Sequence, residues 1–231
     1  MNTSNWEELE RIIGYNFADK QLLQQAMLHS SCANERKIQK IGNYERLEFL
    51  GDAILEFITS EFLYQEYPDK TEGELTKLRA SLVCEFSLSS IANELELGRF
   101  VQLSKGEEGT GGRHRESILC DLFESLLGAI YLDGGIEPAR DYVMKYLLND
   151  VEKHSLFYDA KTTLQEVVHA QGYESLEYEL LETSGPEHHR TYRSQILIAG
   201  TPLAQGSGTS KKASEQRAAY EALLILKKKQ K

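Results

Sequence analysis

The sequence is short of cysteine, of cationic charge and of long apolar runs, and each shortage removes a class of protein. Its three cysteines, Cys32, Cys84 and Cys120, lie far apart, with no CxxC and no Cys/His cluster. That supports neither a disulfide framework nor a zinc site, and suits small buried or partly buried thiols in a reducing compartment. No stretch approaches the roughly 18 apolar residues of a membrane span. The opening MNTSNWEELE lacks the basic residues and apolar core of a signal peptide. A cytoplasmic protein with no membrane association is expected. Repeats and low-complexity tracts are absent. Lysine and arginine number 26 against 36 aspartates and glutamates, a formal charge of −10. Taken alone, that charge argues against a nucleic-acid partner, because phosphate repels a net anion.

What is present suffices for a packed core: 41% of the 231 residues are hydrophobic and 27% charged. The length suits one large domain or two smaller ones. Over residues 1–150 the apolar positions recur at three and four, the period of helices. Helices are expected over 44–67, over 72–97 as one segment starting no earlier than the turn after Gly73, and over 116–132. The Gly-rich stretch Lys105 to Arg113 reads as a loop. It lacks the order of a phosphate-binding GxxxxGK[ST] loop and follows no strand, so no nucleotide cofactor is expected. Arg113 and Arg115 there are candidates for a nearby phosphate. Past Asp159 the pattern becomes helix, three alternating strands and a final helix, α-β-β-β-α. The expected domains are therefore 1–150, all helical, and 159–229, α+β. Charge divides unevenly between them: −11 over 1–150, +1 over 151–231, and +5 within 206–231.

On a helix advancing about 100° per residue, Glu45, Glu48, Asp52 and Glu56 fall on one stripe. Leu50, Ala53, Ile54, Phe57 and Ile58 fall on the opposite arc. Arg46 lies within that apolar arc, and a buried arginine should be ion-paired. An amphipathic helix with a solvated acidic side explains the stripe adequately. Like charges at i,i+3 and i,i+4 nevertheless destabilise a helix, so four acids without an interleaved lysine invite a cation. Asp121 and Glu124 share a face of a later helix, beside the small residues Ser125 and Gly128, which would admit a close neighbour. Facing carboxylates from two helices make a hard-oxygen site of the kind Mg²⁺ or Mn²⁺ prefers. A di-iron bundle would need Glu-x-x-His on these helices, and neither has it. His29 and His114 read as structural or loop histidines.

The stretch NYERLEFLGDAILEF, Asn43 to Phe57, resembles the signature of the ribonuclease III family. GGRHRESILCDLFESLLGAIYLDGG, from Gly111, resembles its second metal-binding helix, and FADKQLLQQAMLHSS, from Phe17, its N-terminal helix. The resemblance implies an all-helical catalytic domain that hydrolyses phosphodiester bonds of double-stranded RNA, leaving 5′-phosphate and 3′-hydroxyl ends. By motif, Glu48, Asp121 and Glu124 would be Mg²⁺ ligands (Mn²⁺ able to substitute), with Asp52 and Glu124 catalytic. Glu45 would belong to the cleft or dimer interface, and Glu56 has no functional counterpart.

The C-terminal unit resembles the double-stranded RNA-binding domain. KTTLQE offers Thr162, Gln165 and Glu166 for 2′-hydroxyl contacts, GPEHHRTY places His188 at the minor groove, and GTSKKASEQRAA sets Ser210, Lys211 and Lys212 at a helix start, where phosphate is favoured. A plain solvated helix start would explain the two lysines alone. The resemblance implies a homodimer, because cutting both strands takes two sites, and processing of ribosomal RNA precursors and other structured RNAs, messenger RNAs among them. Two other readings stay open: a non-catalytic binder of duplex RNA, and a metal-dependent phosphohydrolase acting on nucleotides.

Overall fold

The computed structural model describes residues 3–36, 42–173, 175–185 and 190–229. It divides into two compact units, 1–151 and 152–231. Among the described residues of the first, nine α-helices lie before the division: α1 (Thr3–Ile13), α2 (Lys20–Ala26), α3 (Ser30–Glu35), α4 (Glu45–Glu66), α5 (Glu72–Leu82), α6 (Glu85–Glu94), α7 (Lys105–Gly109), α8 (Glu116–Gly134) and α9 (Ile136–Tyr146). The short α10 (Val151–Ser155) spans the division, and the second unit continues with α11 (Ala160–Ala170), β1 (Leu176–Ser184), β2 (Thr191–Ile198), β3 (Thr201–Gly208) and α12 (Lys211–Lys229). Among the described residues no helix is long and apolar enough to cross a membrane, and the three cysteines form no disulfide.

The first unit is built around α8. Twelve consecutive or near-consecutive residues from Ile118 to Ile130 are buried, Glu124 among them, as befits a helix enclosed by others. Helix α4 packs along it through glycines on both sides. A Cβ at Gly51 would land on the carbonyl of Glu124, and one at Gly128 on the carbonyl of Leu47. Only glycine lets the two backbones approach that closely. Ser125, expected to admit a neighbour, donates its hydroxyl to Ala26 O at 2.9 Å and so ties α8 to α2.

Three local expectations are corrected. Residues 72–97 form two α-helices and a 3₁₀ turn, with a break at Val83 and Cys84. The carbonyl of Ser81 freed at the break accepts from the Ser87 hydroxyl at 3.0 Å. Gly73 lies inside the first turn of α5, because Thr71 and Glu74 form a reciprocal capping box around it. Part of the Gly-rich stretch is helical: Ser104 caps α7 by accepting from Glu107 N at 3.2 Å.

In the second unit the strands form an antiparallel sheet in the order β1-β2-β3. Tyr178 pairs with Ile196, and Ile196 with Ala204. Alternate residues of β2, Ser194, Ile196 and Ile198, are buried. The two isoleucines join Leu164 and Val168 of α11 and Ala219, Leu223 and Leu226 of α12 in a core separate from the first. The α-β-β-β-α pattern of the sequence is observed.

Candidate functional site

The long α4 carries Glu45, Glu48 and Asp52 on successive turns, and α8 carries Asp121 and Glu124 one turn apart. The glycine-mediated approach of the two helices brings the acids face to face. One carboxylate oxygen each from Glu48, Asp121 and Glu124 lies within 4.8 Å of the others. Asp52 is exposed and outside that trio, yet its charge acts on both Glu48 and Glu124. Glu45 is also exposed, and its charge acts on Glu48 and Asp121.

Burial and mutual repulsion distort the titration of this group. Glu48 is pushed up to about 7, first by burial and then by Asp121, Glu45 and Asp52. Glu124, 9% exposed, is pushed up to about 8 by burial, then by Asp52, Glu48 and Asp121. Asp121 is also raised by burial, while a hydrogen bond from Tyr44 and the neighbouring His29 pull it back. Carboxyls this crowded hold protons unless a cation replaces them. An all-oxygen, multiply anionic donor set fits a hard divalent ion, and lacks the nitrogen and sulfur ligands that softer metals favour.

Spacing gave no notice of the side chains that support the cluster. The Tyr44 hydroxyl donates to Asp121 Oδ2 at 2.8 Å. His29 caps α3 through Nδ1, which accepts from Ser31 N at 3.1 Å, and its ring stands edge-on to that of Tyr44. The Cys120 thiol faces Glu124 Oε1 at 3.9 Å. The Tyr44–Asp121 bond joins residues 77 apart, and no periodicity in the chain marks it.

Other expected side chains have different partners. Arg46 is exposed and, among the described residues, makes no ion pair. Ala53 and Phe57 of the arc that held it are exposed in the single chain, as are Phe49 and Tyr64 along the same side. The buried face of α4 instead runs through Leu47, Gly51, Ile54, Leu55 and Ile58. Glu56 pairs with Arg79 at 2.7 Å, pinning α5 to α4. Arg113 is occupied by the carbonyls of Gly98 and Val101, each at 2.9 Å, and by Glu108. Arg115 pairs with Glu107.

On the second unit, Thr162, Gln165 and Glu166 are exposed along one side of α11, and with His169 they line a single surface recess. Ser210 caps α12 by accepting from Ala213 N at 3.1 Å. Lys211 and Lys212 are exposed in its first turn. Lys211 lies 3.9 Å from Glu215, which also binds Lys161 at 2.6 Å. His188 lies outside the described residues.

Comparison with known proteins agrees across both units. A family described as Ribonuclease-III-like matches residues 19–151, and one described as Double-stranded RNA binding motif matches 160–226. A Ribonuclease 3 of Pelotomaculum thermopropionicum is 48% identical over 94% of this chain and 91% of its own. A Ribonuclease 3 of Bacillus velezensis is 44% identical over 96% and 90%. Among solved structures, the nuclease domain of ribonuclease III from Campylobacter jejuni is 42% identical. It superposes with a TM-score of 0.57, covering 64% of this chain and 96% of that one.

Proposed function

The chain belongs to the ribonuclease III family and is an endoribonuclease acting on double-stranded RNA; we propose that it cuts at the Glu48–Asp121–Glu124 cluster with Mg²⁺, for which Mn²⁺ can substitute. In this reading residues 1–150 carry the chemistry and residues 159–229 hold the duplex. The observation that carries it is the convergence of three carboxylates from two helices within 4.8 Å, at raised affinity for protons.

Glu48, Asp121 and Glu124 would hold the ion. When bound, Mg²⁺ lowers the pKa of water and stabilises charge on the phosphate and the leaving oxygen. Asp52, exposed beside the trio, would orient water and accept its proton during in-line attack. Glu124, as one of the residues that would hold the ion, joins it in catalysis, and Glu45 borders the cleft. Attack on phosphorus with loss of the ribose 3′ oxygen leaves 5′-phosphate and 3′-hydroxyl ends.

Thr162, Gln165 and Glu166 meet 2′-hydroxyls across the minor groove, with His188 of the GPEHHRTY stretch contributing. Ser210, Lys211 and Lys212 meet phosphates at the start of α12. Two chains form the working unit, each site cutting one strand. The C. jejuni nuclease domain has a region involved in dimer formation. In this chain Phe49, Phe57 and Tyr64 form an α4 stripe that is 80%, 54% and 77% exposed, an apolar surface suited to a second copy. Ribosomal RNA precursors and other structured RNAs are the expected substrates. The free thiols suit work in the cytoplasm.

The test separates chemistry from binding. Glu124→Gln should bind a labelled duplex as the unsubstituted chain does and fail to cut it with Mg²⁺. Normal cutting by that variant would remove Glu124 from the site.

A further inference from the structure

Tyr44 precedes α4 with its ring 2% exposed. Its N–H donates to Leu28 O at 3.0 Å, while its carbonyl accepts from Leu47 N at 2.8 Å and Glu48 N at 2.9 Å. The ring stands edge-on to His29, centroids 5.5 Å apart at 67°. His29 is itself fixed by the Ser31 N–H on Nδ1 and by donation of its backbone N–H to Gln102 O at 3.2 Å. The phenol oxygen therefore has little freedom, and it donates to Asp121 Oδ2 at 2.8 Å. Among the described residues this is the one protein hydrogen bond that the Asp121 carboxylate accepts, so Oδ1 has no protein donor there.

We propose that Tyr44 is a positioning residue for the divalent cation: it holds one oxygen of Asp121 and keeps the carboxylate facing Glu48 and Glu124. This rests on the metal reading of that trio. The physical need is specific. Without a restraint, like-charge repulsion favours rotamers that carry Asp121 away from the other two acids. A lysine or arginine could restrain it equally well, but its charge would compete with the ion. A buried phenol restrains without charge, and with an ordinary pKa of about 10 its hydroxyl is a donor at neutral pH. Hydrogen bonds to metal-ligating side chains typically alter metal affinity about 10- to 100-fold.

The experiment uses the full chain without RNA and Mn²⁺ as the probe, with free ion read by electron paramagnetic resonance. Three proteins are compared: the unsubstituted chain, Tyr44→Phe and Glu48→Gln. The phenylalanine variant keeps the buried ring and loses one oxygen, and its melting temperature in chelator should match that of the unsubstituted chain. Its Mn²⁺ affinity should fall about tenfold, with metal-free duplex binding unchanged. Unaltered Mn²⁺ affinity in Tyr44→Phe, with binding abolished in Glu48→Gln, would overturn the role of Tyr44 and leave the metal site standing. Unaltered affinity in Glu48→Gln would overturn the metal site and the inference with it.

Discussion

Glu48 and Glu124 titrate near 7 and 8 in the folded chain against an ordinary 4.5. The folded, metal-free protein therefore binds more protons than the unfolded chain between about pH 4.5 and 8, and its stability falls as pH rises through that window. A bound cation replaces those protons and reverses the penalty. Melting in chelator should thus be lower at about pH 8.5 than at about pH 5.5, and added Mg²⁺ should raise it more at the higher value. An equal Mg²⁺ increment at both values would show that the raised carboxyls are not the metal's ligands. At this scale the sequence was partly legible. Acids at i, i+3 and i+4 announce themselves by spacing, whereas Tyr44 reaches Asp121 across 77 residues and is visible only after folding.

The two helices that carry the acids depend on glycine at their crossing. Alanine at position 51 would overlap the backbone at Glu124. Gly51→Ala should destabilise the first unit by about 3 kcal/mol, at the upper end of overpacking costs, and weaken Mn²⁺ binding by parting the carboxylates. Thermal unfolding together with an Mn²⁺ titration checks both effects, and native stability would contradict the close approach. The helical wheel found the acidic stripe of α4 but misplaced its buried face. Ala53 and Phe57 look like core to any periodicity rule, yet both are exposed in the single chain. Arg46 was drawn into the same error. The break between α5 and α6 escaped notice because apolar spacing continues across it. The side-chain bond to Ser81 O that supports the break is a tertiary fact.

For the whole molecule, the net charge of −10 misleads because the two units differ, −11 over 1–150 against +1 over 151–231. The acidic excess includes the Glu48–Asp121–Glu124 cluster, whose donor set fits a cation, and +5 is concentrated in 206–231. Replacing Lys211 and Lys212 with alanine should weaken duplex binding uniformly across sequences and reduce the salt slope by about 2, one for each phosphate left without its ammonium. An unchanged slope would take both lysines out of the interface. The exposed α4 stripe gives a further test: Phe57→Glu should shift the sedimenting species from two chains towards one, and an unaltered mass would place the interface elsewhere. The α-β-β-β-α unit was legible from its alternation, because a half-buried sheet imposes period two on its sequence. The most direct measurement incubates labelled duplex and single-stranded RNA side by side with the purified chain, with Mg²⁺ and with chelator. Cutting of the duplex alone, only with Mg²⁺, into fragments bearing 5′-phosphates is the predicted result. Intact duplex from a folded chain, or equal cutting of the single strand, would contradict the account.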